Sequence, residues 1–290
     1  MNGGIEHLLI LGCGYVGEHL AAAAVARGMR VTGTTRRPDR AEALRAQGLE
    51  AVICDSPTDL PDDLLQACDG ILDSIPLDKA GDGLRAPQAD WLPVLAPRVR
   101  HVRWAGYLST TGVYGDAGGA WVDEAFACRP TSARGSGRLM AEAAWLGSGL
   151  PAEVFRIAGI YGPGRNLIGR LMAGGYRAPA WQPPHWSSRI HVDDIVAALS
   201  AAMRLPRPGR VVNLADDCPL PHADYVLELA RMVGAPPPVI LDAATAEREL
   251  SPAALAFFRD NKRVCNALLH RELLPGLKYP SFREAVASLR

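Results

Sequence analysis

The sequence predicts an α/β protein, a doubly wound parallel sheet with a smaller, mostly helical substrate region drawn from its C-terminal half. Three observations carry that expectation. Residues 7–27 read HLLILGCGYVGEHLAAAAVAR, an apolar run followed by a glycine turn and an Ala-rich segment without proline. Strand-like and helix-like segments then alternate as far as residue 157, the pattern of a sheet covered by helices on both faces. Beyond it the texture changes, and residues 159–189 are rich in Gly, Pro and Trp.

Each element follows from its residues. Leu8–Leu11 is short and apolar enough for a buried strand, and residues 15–27 contain good helix formers. Residues 29–34 (MRVTGT) give a second strand, which Thr35-Arg36-Arg37-Pro38 ends. A short helix over 40–47 closes at Gly48, and a third strand spans 50–53. Residues 61–68 are helical, and a fourth strand over 70–75 breaks at Pro76. Residues 78–89 hold enough Gly, Asp and Pro to read as a loop. A kinked or short helix at 91–99 carries Pro93 and Pro97. A fifth strand over 103–109, a long helix over 131–146 and a sixth strand over 152–157 follow. Residues 191–204 return to helix with Asp193 and Asp194 in the first turn, and 210–214 form a last strand. The division expected is a dinucleotide-binding domain over 1–160, also receiving about 190–214, and a substrate-binding region over 161–189 and 215–290.

Composition narrows the function. The 290 residues carry 31 basic and 31 acidic side chains, so no basic field favours nucleic acid or an anionic membrane. No apolar run approaches the roughly 20 residues of a membrane span, and MNGGIEHLL has no signal-peptide pattern. The six cysteines form no C-x-x-C pair and no zinc-like spacing with His, so no metal is expected, and a reducing cytoplasmic setting fits best. Cys13, inside the glycine turn, reads as a small filler or as a redox thiol.

Gly12, Gly14 and Gly17 form a G-x-G-x-x-G between a strand and a helix, which is the context of a dinucleotide site. The first glycine allows the tight turn and the second a close approach of backbone to pyrophosphate. The third lets the helix pack on the strand, and the helix N-terminus offers N–H groups and partial positive charge to phosphate. The second strand ends in Thr34-Thr35-Arg36-Arg37 with no acid. A carboxylate there would accept the ribose hydroxyls of NAD; an arginine pairs with the 2′-phosphate of NADP. NADP is therefore expected over NAD.

Residues 107–115 read YLSTTGVYG, and with the glycine motif they resemble the short-chain dehydrogenase/reductase superfamily, in its extended, epimerase/dehydratase branch. FRIAGIYGPG at 155–164, RIHVDD at 189–194 and VVNL at 211–214 resemble further segments of that branch in order and spacing. The resemblance covers nearly the whole chain and implies a Rossmann-type fold, a small-molecule substrate that is a carbonyl or hydroxyl compound or a sugar derivative, and a homodimer formed through helices around 90–99 and 131–146. It implies cofactor contacts from Gly12, Gly14, Tyr15, Val16, Gly17, Thr35, Arg36, Arg37, Asp55, Ile75, Arg138, Gly159 and Ile160. It implies substrate contacts from Thr111, Tyr161, Trp181, His185, Trp186 and Arg189.

The superfamily uses a Ser or Thr, a Tyr and a Lys. By resemblance Thr110 supplies the hydroxyl. Arg134 and Arg138 fall where the Tyr and Lys of the Tyr-x-x-x-Lys pair belong, and no Tyr lies between Tyr114 and Tyr161. A guanidinium keeps its proton at neutral pH, so the standard relay is missing. Arg138 still suits the cofactor as a fixed cation; Arg134 binds an anionic substrate group or caps local structure. Tyr114, Tyr161, His191, Asp116, Asp123 and Glu124 remain as substitute proton carriers, each with a structural alternative. The WQPPHW segment at 181–186 reads as a substrate lid or as an interdomain packing plug. Two functions follow: an NADP-dependent oxidoreductase or epimerase with a non-standard proton donor, and a non-catalytic NADP-binding redox sensor or binding module.

Overall fold

The computed structural model describes residues 4–81 and 83–289. Seven strands make the central sheet: β1 (His7–Leu11), β2 (Arg30–Thr35), β3 (Glu50–Ile53), β4 (Gly70–Asp73), β5 (Trp104–Thr110), β6 (Ala152–Ile157) and β7 (Val211–Leu214). Their order across the sheet is β3-β2-β1-β4-β5-β6-β7. The pairs β1–β2, β2–β3, β1–β4 and β4–β5 are parallel, with Leu8 opposite Val31 and Leu11 opposite Asp73. The strand order reverses between β1 and β4, which opens a crevice beyond their carboxyl ends.

Helices α1 (Tyr15–Val25), α2 (Pro38–Ala46), α3 (Asp62–Ala67), α4 (Gln88–Leu95), α5 (Ala133–Leu146) and α6 (Val192–Arg204) connect or flank these strands. Leu9, Leu11, Ile71, Ala105 and Val154 of the strands pack with Trp91, Leu95, Ala141 and Trp145 of α4 and α5 in one core. Every residue of β1 is buried, as the apolar run Leu8–Leu11 requires.

The chain divides into two compact units. The first comprises the chain up to Val113, Ser132–Arg156 and Ile195–Val212; the second comprises Tyr114–Thr131, Ile157–Asp194 and Asn213 onward. The second unit has its own core, including Tyr161, Leu171, Tyr225, Leu229 and Phe282. It also carries short two-strand pairings, among them Gly159–Tyr161 with Arg189–His191 and Trp121–Val122 with Arg263–Val264.

Three features depart from the sequence expectation. Residues 114–131 lie in the second unit and not with the dinucleotide fold. Their backbone is tied to a distant segment: Ala117 and Gly119 N–H both donate to Asn261 O, at 3.0 and 2.9 Å. The expected loop over 78–89 is instead an antiparallel pairing of Asp78–Ala80 with Gly83–Arg85, followed by the first residues of α4. The helix starts earlier because Gln88 is a core residue, its amide donating to the buried Asp73 carboxyl at 2.9 Å. Pro93 is accommodated inside α4, and Ala96–Val99 continues as a 3-10 turn.

Candidate functional site

The glycine turn is built as its spacing requires. Gly12 has φ +71°, and a Cβ there would stand 3.0 Å from Ile75 Cγ1 and 3.1 Å from its backbone. Only glycine fits, because both the backbone conformation and the neighbour exclude a side chain. Gly12 N–H donates to Thr34 Oγ1 at 2.9 Å, which ties the turn to the end of β2. Gly17 faces Ile10 and Cys13, where a Cβ would meet Ile10 Cγ2 at 3.0 Å, so α1 seats closely on β1. Gly14 differs from both: a Cβ there would meet only Gly12 O, at 3.9 Å. Gly14 is also the N-cap of α1 and makes no side-chain cap, so the helix end faces open space.

That space belongs to a cavity of about 680 Å³ within the first unit, lined by Gly12, Gly14, Thr35, Arg36, Arg37, Asp55 and Ile75. All seven are among the cofactor contacts that the sequence leads one to expect. Tyr15 and Val16, also expected, open α1; Val16 is buried and neither lines the cavity. Arg40, Asp78, Arg85, Asp90 and Trp91 line it as well, and sequence reasoning does not reach them. Arg40 has a weak signal, one helical turn beyond Arg37; the others depend on the 78–85 hairpin and the early start of α4.

The cavity's arginines are held differently. Arg37 forms a two-bond ion pair with Asp39, and Arg40 pairs with Glu18. Arg36 has a looser neighbour in Asp78, at 3.8 Å, and its side chain is 62% exposed. Cys13 is a filler: its Sγ lies against Gly17 and Gly33, and burial pushes its pKa up to about 11, so no thiolate forms at neutral pH.

At the carboxyl end of the sheet, Thr110 closes β5, and its Oγ1 accepts from Gly112 N–H at 3.1 Å. The hydroxyl proton is left to donate elsewhere. Thr111 begins the 3-10 turn that follows. On α5, Ser132 caps the helix by accepting from Gly135 N–H at 3.1 Å. Arg138 Nη1 donates to Tyr107 Oη at 3.0 Å, Leu108 O at 3.2 Å and Ile75 O at 3.3 Å. The guanidinium is thus anchored to the ends of β4 and β5. Its Nε and Nη2 make no hydrogen bond to the described residues. Arg134 lies exposed in the first turn of α5. Neither Tyr nor Lys occurs in α5.

Below this edge, two buried networks lock α5. Glu142 accepts from Ser109 Oγ at 2.5 Å and pairs with Arg156 at 2.8 Å. Asp73 is fully buried and accepts from Trp145 Nε1, Gln88 Nε2 and Ile75 N–H at 2.7 to 2.9 Å. Burial outweighs these donors and pushes its pKa up to about 6.

The remaining expected residues lie in the second unit. Tyr114 is fully buried, and its hydroxyl donates to Asn213 Oδ1 at 2.6 Å. Its proton is committed to that bond, which supports the packing alternative over proton transfer. Gly159, Ile160 and Tyr161 form one short strand, paired with Arg189–His191. Tyr161 Oη is buried without a partner among the described residues, and burial pushes its pKa far up, so the phenol stays neutral. In WQPPHW, Trp181 and His185 pack against Phe258 at 5.8 and 5.1 Å between ring centroids. His185 Nε2 lies 3.0 Å from Asp260 O, and the Trp186 N–H donates to Asn261 Oδ1 at 2.8 Å. The segment's contacts here are with residues of its own unit. His191 is buried between Tyr161 and Tyr279, at centroid distances of 5.3 and 4.2 Å.

Known proteins share this outline. No protein-family profile matches the chain. It is 30% identical to Protein YeeZ of Escherichia coli K12 over 279 residues, covering 91% of this chain and 94% of that one. The chain belongs to the family of Protein YeeZ. A functionally unknown conserved protein from Silicibacter pomeroyi has the same fold, with TM-score 0.88, 42% identity, and 99% and 98% of the two chains covered. The dTDP-glucose 4,6-dehydratase of Bacillus anthracis, solved with NAD, shares the fold at TM-score 0.72 and 15% identity, over 97% and 94% of the chains. No helix among the described residues is long and apolar enough to cross a membrane.

Proposed function

We propose that this YeeZ-family protein is an NADP-dependent oxidoreductase or epimerase acting on a small carbonyl, hydroxyl or sugar-like compound. The observation that carries the reading is the cavity that joins the open cradle at Gly14 to the loosely held Arg36. The cradle receives the pyrophosphate, against the N-terminus of α1, and Arg36 pairs with the 2′-phosphate. Asp55 and Ile75 border the adenine and the turn, and Arg138, through its unengaged Nε and Nη2, holds the ribose. When bound, NADP supplies or accepts a hydride.

Thr110 orients the substrate oxygen through its unengaged hydroxyl proton. The proton for that oxygen comes from a group other than the usual tyrosine, since α5 has neither Tyr nor Lys. The same absence favours a second reading, a non-catalytic NADP-binding redox sensor. A second copy of the chain, docked through α4 and α5, suits the exposure of Val94 and Met140 on those helices.

The deciding experiment follows NADPH consumption against a panel of aldehydes, ketones and nucleotide sugars. Turnover that Thr110→Val abolishes supports the enzyme. NADPH binding without turnover across the panel supports the sensor. Failure to bind either NADPH or NADH overturns both.

A further inference from the structure

The cavity that contains the Gly14 cradle is lined by the arginines Arg36, Arg37, Arg40 and Arg85. Arg37 is closed in an ion pair with Asp39, Arg40 with Glu18, and Arg85 with Asp90 in the first turn of α4. Arg36 is different. Among the described residues, Asp78 alone brings a carboxylate oxygen within 4.0 Å of it, at 3.8 Å, and no hydrogen bond joins the two. Arg36 is thus neither free nor taken.

The fold, and not the local sequence, puts Asp78 in this place. Asp78 begins the antiparallel pairing of Asp78–Ala80 with Gly83–Arg85 and stands directly opposite Arg85. Arg85 is already engaged by Asp90, which leaves the Asp78 carboxylate to face Arg36. All four side chains line the cavity, so charge alternates along it from Arg36 through Asp78 and Arg85 to Asp90. β2 itself ends in Thr34-Thr35-Arg36-Arg37 without an acid, and the hairpin supplies one beside the first of those arginines. A carboxylate there opposes a phosphate in two ways. It offsets part of the guanidinium's field, and it repels the phosphate directly. It does neither to a ribose that carries hydroxyls alone. The Arg36 and Asp78 side chains are 62% and 36% exposed, so their pair is weak enough for a phosphate to displace.

We propose that Asp78 is a specificity-determining residue: its carboxylate competes with the 2′-phosphate of the cofactor for Arg36, weakening NADP(H) binding while leaving NAD(H) binding unchanged. The preference for NADP is then set by the Arg36–Asp78 pair and not by Arg36 alone. Arg36 provides the attraction, and Asp78 limits it to what exceeds their own interaction. This rests on the reading that Arg36 receives the 2′-phosphate.

The test titrates NADPH and NADH by fluorescence against the full wild-type chain, Asp78→Asn, Arg36→Ala and the double variant. Asp78→Asn is expected to tighten NADPH about 3- to 10-fold, the scale of an exposed charge pair together with its repulsion of a phosphate, and to move NADH by less than about 2-fold. Raising the salt from about 0.05 to about 0.5 M shrinks the gain by screening, and Arg36→Ala abolishes it. If Asp78→Asn does not fold, Asp78→Ala replaces it with the same expectations. An unchanged or weakened NADPH titration, equal gains for both cofactors, or a gain that survives Arg36→Ala overturns the inference while cofactor binding stands. A wild type that binds neither cofactor, or an Arg36→Ala chain that binds NADPH as the wild type does, overturns the functional reading and the inference with it.

Discussion

Arg36 Nη1 stands 3.8 Å from Asp78 Oδ1, a separation that leaves the guanidinium fork unfilled, while Arg37 next to it is fully engaged by Asp39. The two arginines are adjacent in sequence but differ in what they have left to offer a phosphate. Arg36→Ala is expected to weaken NADPH binding 10- to 100-fold, the roughly 1.5–3 kcal/mol of a hydrogen bond to a charged group, and to leave NADH unchanged. Arg37→Ala is expected to do less. Fluorescence titration with both cofactors checks this; equal losses for NADPH and NADH would defeat the assignment.

Thr110→Val is nearly isosteric and removes the hydroxyl that Gly112 N–H uses at 3.1 Å. The loss of that bond costs about 1 kcal/mol of stability. The expected kinetic result is a fall in kcat of at least about 100-fold, the scale of a general acid–base or polarising contact, with NADPH affinity unchanged. A variant that turns over normally removes Thr110 from the chemistry.

Asp73 links stability to pH with a sign opposite to most carboxylates. Its pKa rises from the ordinary 3.8 of an aspartate to about 6 in the folded chain, with burial as the cause. The folded state thus binds more protons than the unfolded state between about pH 4 and 6, and stability falls as pH rises through that window. The shift corresponds to about 3 kcal/mol. Asp73→Asn has no such proton. Denaturant unfolding of both proteins should show the wild type losing about that much relative to the variant between pH 4 and 7. A constant difference would contradict the burial argument.

Tyr114→Phe separates packing from catalysis. The substitution keeps the buried ring and leaves Asn213 Oδ1 without the donor now 2.6 Å away. The expected cost is about 1–3 kcal/mol in unfolding free energy, with turnover unaffected on the same substrate that Thr110→Val abolishes. Loss of activity without loss of stability would return Tyr114 to the catalytic set.

Where chemistry is local, the sequence is a sound guide. Seven strands and six helices lie close to the positions expected from apolar runs, caps and breakers, because neighbouring residues settle those choices. The three glycines of the turn can be assigned separate tasks from spacing alone, and Gly12 and Gly17 meet the neighbours that the tasks require. The hairpin at 78–85 and the start of α4 are hidden for the opposite reason. Gly and Asp in that stretch signal a turn, but the core place of Gln88 depends on Asp73, fifteen residues away.

The sequence by itself determined the doubly wound sheet, the glycine turn after β1 and the absence of an acid at the end of β2. Each is set by residue type and spacing over a few positions. Only the tertiary structure decided that Arg36 is loosely held and Arg37 is not, that Tyr114 is committed to Asn213, and that Arg189 is buried against the Tyr225 ring. Those outcomes depend on which distant side chains arrive within about 4 Å, where the strength of a charge or a hydrogen bond is set by its partners and its distance from water.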